Sequence, residues 1–153
     1  MNNPADDRFV SNYLLYLLAA ASDAASAQFH ECVREYGLRV PEWRVLACLV
    51  DRDGEMITRL AEFSLIEQSR LTRIIDQMVE RALVLRQSDE HDKRRVRVYL
   101  TDKGRDLATM LVEKARQHEQ EVLAVFKDSD ATLIKSMLRD LIDGLVPDNG
   151  ERL

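Results

Sequence analysis

The stretch that decides the fold is Val84-Leu85-Arg86-Gln87-Ser88-Asp89-Glu90-His91-Asp92-Lys93-Arg94-Arg95-Val96-Arg97-Val98-Tyr99-Leu100-Thr101-Asp102-Lys103-Gly104. The rest of the chain places apolar residues three and four apart, but here the period changes. Val84 to Ser88 is β-prone, a charged tip follows, and Val96 to Leu100 alternates polar with apolar. Two such runs around a charged tip predict a β-hairpin. Thr101-Asp102-Lys103-Gly104 then opens a long helix, expected to reach about Lys127, with Leu107, Leu111, Ala115, His118, Val122 and Phe126 on its face.

Upstream, Leu71, Ile74, Ile75, Met78 and Val79 mark a helix from about Glu67 to Ala82. A short helix from about Thr58 to Phe63 precedes it. Asp53-Gly54 marks a turn. Before the turn a helix opens at Pro41 and carries Trp43, Val45, Leu46 and Leu49. Apolar residues from Phe9 through Tyr13, Leu17, Phe29 and Val33 to Tyr36 predict one long helix from about Asp7 to Tyr36, closed by Gly37. Downstream, Ser129 or Asp130 is expected to cap a last helix containing Leu133, Ile134, Met137, Leu138, Leu141 and Ile142, stopped by Gly144 and Pro147. The predicted fold is mainly α with a small β-hairpin wing. A winged helix-turn-helix, residues 38–101, lies between long amphipathic helices at 7–36 and 102–146, all in a single domain of 153 residues. The terminal helices have no evident intramolecular cover, so a second chain is expected to supply it.

Composition excludes several classes. Apolar residues make up 46%, charged residues 32%, and glycine with proline only 8 of 153, so the chain is neither disordered nor collagen-like. The longest unbroken apolar run, Tyr13 to Ala21, is too short to span a bilayer. Asp6 and Asp7 against a lone Arg8 are the wrong sign for a signal peptide, so a cytoplasmic location is expected. Cys32 and Cys48 lack metal-site spacing, and His30, His91 and His118 share no ligand pattern, so no metal or other cofactor is expected. Both cysteines read as small buried apolar residues. No phosphate-binding glycine loop, nucleophile elbow or zinc-protease motif occurs, so the chain does not read as an enzyme.

The net charge of −5 argues at first against a nucleic-acid partner. Its distribution argues the other way. From Ser69 to Arg97 stand eight basic residues (Arg70, Arg73, Arg81, Arg86, Lys93, Arg94, Arg95 and Arg97) against five acids (Asp76, Glu80, Asp89, Glu90 and Asp92). That segment carries +3 and leaves −8 for the remainder. The bases fall on the helix and hairpin that a winged helix-turn-helix presents together. On the predicted reading helix, Gln68, Ser69, Arg70, Thr72 and Arg73 share a polar surface opposite Leu71, Ile74, Ile75 and Met78. Arginine forks onto guanine or phosphate, glutamine onto adenine, and hydroxyls bond either phosphates or bases. At the hairpin tip Asp92, Lys93, Arg94 and Arg95 are candidate DNA-binding residues, and an arginine at so narrow a tip can enter a minor groove. Asp92 is expected to hold Arg94 in one rotamer by a forked ion pair.

With these residues in view, the chain resembles the MarR family of winged-helix regulators. Gly37-Leu38-Arg39-Val40-Pro41-Glu42-Trp43-Arg44-Val45-Leu46 is similar to that family's second-helix opening. Leu60-Ala61-Glu62 and Leu71-Thr72-Arg73-Ile74-Ile75-Asp76 are similar to its helix-turn-helix. The most specific likeness is the wing, Asp89 to Arg94, with the Leu100-Thr101-x-x-Gly104 ending. Three positions depart from the pattern. Leu65 stands where a turn glycine is usual, Ala82 where a Gly-Leu pair closes the reading helix, and Glu90 where proline is common. The resemblance implies a homodimer joined by the first and last two helices. It implies a repressor of a palindromic operator, relieved by a small aromatic or anionic ligand. Tyr13, Tyr16, His30, Trp43 and Arg44 are the candidate ligand contacts. Cysteine sensors in the family carry their thiol near the start of the first helix, and Tyr13 to Ala21 holds none. The rival expectation is a winged-helix interaction module that never touches DNA, which the overall acidity motivates.

Overall fold

Three helix ends close in the same way, and they fix where the chain turns. In a computed structural model describing residues 8–145, the Gly37 N–H bonds the Arg34 carbonyl at 2.8 Å and the Leu38 N–H returns to Val33 at 3.2 Å. The same pair of bonds recurs at Leu65 and Ile66, which reach Glu62 and Ala61, and at Ala82 and Leu83, which reach Val79 and Met78. This closure needs a left-handed residue at its corner. Gly37 supplies it at φ 72°, while Leu65 and Ala82 supply it as side-chain-bearing residues at φ 55° and 54°. Two of the three departures in the sequence are therefore turns kept in shape against steric preference.

The described elements run α1 (Phe9–Asn12), α2 (Leu14–Glu35), α3 (Val40–Asp51), β1 (Glu55–Met56), α4 (Ile57–Ser64), α5 (Gln68–Glu80), β2 (Val84–Ser88), β3 (Val96–Leu100), α6 (Asp102–Leu123) and α7 (Asp128–Leu145). They form two compact units, one up to Val40 and one from Pro41. The predicted start at Asp7 and stop at Pro147, and the boundary at 146, lie outside the described residues.

In the first unit the expected single helix is broken. Tyr13 is extended (φ −77°, ψ 117°), which separates α1 from α2, and its ring stacks on Phe9 with centroids 4.9 Å apart. The apolar period reads straight across the break because the residues on either side keep helical spacing. Phe29, Val33 and Leu38 are buried, whereas Phe9, Leu14, Leu15, Tyr16 and Leu17 are exposed.

In the second unit the core joins Val45, Leu46 and Leu49 of α3, Leu60 of α4, Leu71, Ile75 and Met78 of α5, Val84 and Val98 of the sheet, and Leu111 of α6, all nearly or fully buried. Truncating one of these leucines to alanine removes about 2–5 kcal/mol. The hairpin is accompanied by a third strand that the sequence reading missed. The sheet order is β1-β3-β2, antiparallel throughout, with Glu55 opposite Val98 and Val84 opposite Leu100. Two residues are too short a run to show a period, and Glu55–Met56 pairs because Gly54 (φ 78°) bends the chain back and bonds Val98 at 3.0 Å. Asp53 reinforces the bend, accepting the Leu100 N–H at 2.8 Å and pairing with Arg105.

The Leu-Thr-x-x-Gly ending of the wing has a clear purpose. Thr101 caps α6 by accepting the Gly104 N–H at 3.0 Å, and its hydroxyl reaches the Ala82 carbonyl at 2.7 Å. A Cβ on Gly104 would lie 1.9 Å from the Leu83 carbonyl oxygen. The absent side chain lets α6 press directly on the backbone leaving α5. Helix α6 stops at Leu123 rather than Lys127. The Lys127 carbonyl accepts from both Asp130 (2.9 Å) and Ala131 (3.0 Å), so the last helix starts from Lys127 and not from a cap at Ser129 or Asp130.

Candidate nucleic-acid interface

Helix α5 owes its start to Glu67. This carboxylate caps the helix, accepting the Ser69 N–H at 3.0 Å and the Arg70 N–H at 3.1 Å, and it also takes the Ser69 hydroxyl. These bonds, the serine hydroxyl foremost, pull the Glu67 carboxyl below its usual range. The sequence reading missed the cap because glutamate is not among the favoured capping residues. Behind it Leu71, Ile74, Ile75 and Met78 anchor one face in the core. The opposite face leaves Gln68, Ser69, Arg70 and Arg73 exposed, and Thr72 half-buried with its hydroxyl 3.0 Å from the Gln68 carbonyl.

The wing is held by a different carboxylate from the one expected. Asp89 is buried and accepts the His91 N–H at 2.9 Å and the Asp92 N–H at 3.1 Å on one oxygen, and the Arg97 Nε on the other. Arg97 also donates to the Gly54 carbonyl at 2.8 Å, fastening β3 to the bend before β1. The Arg97 bond, then the two backbone donors, lower the Asp89 carboxyl to about 2. Asp92 does not fork onto the Arg94 guanidinium. One oxygen accepts the Arg94 backbone N–H at 3.0 Å and the other lies 3.3 Å from the Arg95 Nε. An aspartate in a tight turn bonds the N–H two residues on, which brings Arg95 rather than Arg94 beside its free oxygen.

Counting partners sharpens the charge reading. Of the eight basic residues, Arg81 pairs with buried Glu42 at 3.0 Å, Arg86 with Asp76 at 2.8 Å, Arg95 with Asp92 and Arg97 with Asp89. Arg70, Arg73, Lys93 and Arg94 form no ion pair with any described residue, and all four are exposed. Two sit on the helix and two at the wing tip. An open groove of about 510 Å³ joins the two elements, lined by Thr58, Gln68, Thr72, Arg94 and Arg95 over an apolar floor of Met56, Ile57 and Val96. Of the predicted residues, Gln68 and Thr72 of the helix and Arg94 and Arg95 of the wing line this groove, whereas Ser69, Arg70, Arg73, Asp92 and Lys93 are not part of its lining.

The candidate ligand contacts are less concentrated. Tyr13, Tyr16 and His30 belong to the first unit, the tyrosines exposed and the histidine half-buried. Trp43, half-buried, and Arg44, exposed, belong to the second. Neither unit alone gathers all five. Burial, with Asp51 adding to it, pushes the Cys48 thiol up, so it stays protonated and poorly nucleophilic. Among the described residues no cluster of three His, Cys, Asp or Glu side chains is placed to hold a metal ion. No described helix is long and apolar enough to cross a membrane.

Residues 27–111 match the family described as transcriptional regulator SarA/Rot. A solved MarR-family transcriptional regulator from Silicibacter pomeroyi DSS-3 is 61% identical, superposes with a TM-score of 0.83, and covers 92% of this chain and 100% of its own. The organic hydroperoxide resistance transcriptional regulator of Bacillus subtilis strain 168 is 26% identical over 147 residues, 95% of this chain and 97% of that protein. The solved structure of Bordetella bronchiseptica BpsR, whose DNA binding is regulated by 6-hydroxynicotinic acid, is 25% identical with a TM-score of 0.74, covering 82% of this chain and 96% of its own.

Proposed function

The chain belongs to the MarR family of DNA-binding transcriptional regulators, and from that premise we propose that it is a cytoplasmic homodimer that represses a palindromic operator and releases it on binding a small aromatic or anionic ligand. The observation that carries the DNA-contact assignment is the set of four exposed cations outside any ion pair among the described residues: Arg70 and Arg73 on α5, Lys93 and Arg94 on the wing. A site holding its other arginines in ion pairs but leaving these four exposed suits a polyanion. Arg70, Arg73 and Gln68 meet base edges and phosphates in the major groove, and Arg94 enters the adjacent minor groove. Asp92 and Arg95 shape the tip that presents it.

Exposed apolar side chains support the dimer. In the first unit they are Phe9, Leu14, Leu15, Tyr16 and Leu17; in the second, Leu133, Met137, Ile142 and Leu145. A partner chain covering these faces removes them from water. Two reading helices then meet successive major grooves about 34–36 Å apart, and a ligand that changes this spacing weakens binding. BpsR, regulated by an aromatic acid, supports the ligand class.

Binding to promoter fragments across a salt series tests the reading. Eight free cations per dimer predict a slope of log K against log salt of roughly −7. Arg94→Ala reduces that slope by about 2, one contact per protomer. Arg70→Ala and Arg73→Ala also alter sequence preference. An interaction module that never touches DNA shows no salt-dependent binding to any fragment, and light scattering at the monomer mass removes the two-headed grip.

A further inference from the structure

Resting on the DNA-binding reading above, we propose that Ser69 and Thr72 meet DNA only as hydrogen-bond acceptors. The reading helix then selects base pairs that offer an exocyclic amino group, adenine N6 or cytosine N4, at the positions these two residues face. A hydroxyl carries one proton and two lone pairs. The Ser69 Oγ lies in hydrogen-bond contact with Glu67 Oε2, and the Thr72 Oγ1 lies 3.0 Å from the Gln68 carbonyl oxygen. An ionised carboxylate and a carbonyl have no proton to give. In both bonds the hydroxyl must therefore be the donor, and its single proton is spent inside the helix.

Only lone pairs remain for DNA. Phosphate oxygens, guanine O6 and N7, and thymine O4 are themselves acceptors and gain nothing from such a hydroxyl. The amino groups of adenine and cytosine are donors and match it. Glu67 keeps this polarity fixed because three donors converge on its carboxylate, two of them the backbone N–H groups of Ser69 and Arg70. The same carboxylate fills the helix N-terminus, the place a phosphate would otherwise take. Phosphate contact is left to the free cations, and Ser69 and Thr72 become residues of base choice.

The test uses the full-length dimer and an operator recovered by selection from randomised half-sites, with affinity read by fluorescence anisotropy. If the wild type binds no fragment in a salt-dependent way, the DNA-binding reading itself falls, and this inference with it. Given binding, each adenine of the half-site is replaced by purine, which lacks the N6 amino group. Each cytosine is replaced by 2-pyrimidinone, which lacks the N4 amino group. The wild type is expected to lose roughly threefold to tenfold at a position that Ser69 or Thr72 faces. Ser69→Ala or Thr72→Val abolishes the loss at that position alone. A purine-sensitive position assigns adenine, and a pyrimidinone-sensitive one assigns cytosine. Glu67→Gln places an amide N–H against Ser69 and frees the serine proton, so the selected half-site admits guanine or thymine there. The proposal is overturned if every analogue sensitivity survives in both hydroxyl variants, if the wild type ignores both analogues, or if Glu67→Gln keeps the wild-type preference.

Discussion

Replacing Leu65 or Ala82 by glycine stabilises this protein, and the reason lies in backbone angles rather than contacts. Both residues hold φ near +55°, where the side chain crowds the following carbonyl at a cost of about 1–2 kcal/mol. Glycine removes that cost but adds unfolded-state freedom, a debit of about 0.4–1 kcal/mol. Leu65 is 79% exposed, so little burial is lost with its side chain. The net gain is about 0.5–1 kcal/mol at each site. The two corners lie at opposite ends of the 13-residue α5, about 20 Å apart, so the effects add. For a chain of this size 1 kcal/mol corresponds to about 2–4 °C in Tm, which puts the double variant about 2–8 °C above wild type. Thermal melts at fixed protomer concentration measure this, because melting of a dimer depends on concentration. Ala27→Gly is the control. It is the same chemical change at an exposed position inside α2, where it costs about 1 kcal/mol. The reasoning is refuted if Ala82→Gly lowers Tm as Ala27→Gly does.

Other perturbations follow from the same geometry. Gly104→Ala forces a Cβ to within 1.9 Å of the Leu83 carbonyl, so α6 must shift; a loss of about 3 kcal/mol or more is expected, read as a lower urea midpoint. Arg81→Met removes the guanidinium paired with fully buried Glu42 and costs about 2 kcal/mol, whereas Glu42→Gln with Arg81→Met together restores part of it. The Asp89 carboxyl lies at about 2 in the folded chain against an ordinary value of 3.8. A carboxylate lowered by folding stabilises the wing fully above its unfolded value and loses that contribution as pH falls toward 2. Wing amides followed by NMR should therefore loosen between about pH 4 and 2, and Asp89→Asn should show the loosened wing already at pH 7.

The elements that sequence reading recovered share a cause. The α5 stripe, the α3 opening at Pro41 and the β2–β3 alternation are set by burial of side chains close in the chain, and burial writes itself into spacing. What stayed hidden depends on single dihedrals or distant partners. The extended Tyr13 leaves the apolar period intact on both sides. The strand Glu55–Met56 exists only because Gly54 and Asp53 tie it to residues more than forty positions away. The charged wing was visible, but its wiring was not. Asp89 and Arg97 are eight residues apart on opposite arms of the hairpin, and only the register of β2 against β3 shows that they meet. Leu65 and Ala82 were legible as departures from a glycine pattern, and the structure places each at a positive φ that side chains disfavour.

The contact made possible by Gly104 has a mechanical consequence. Helix α6 has 22 residues, about 33 Å from end to end. Its first turn is seated on the peptide group of Leu83, with no side chain between to act as a cushion, and Thr101 pins the same joint. A lever of that length, tilted by about 5° about this pivot, carries its far end through about 3 Å. The stiffness of the pivot determines how much of such a tilt reaches the segment that leads directly into the wing. One missing methyl group thereby sets the transmission of the whole arm.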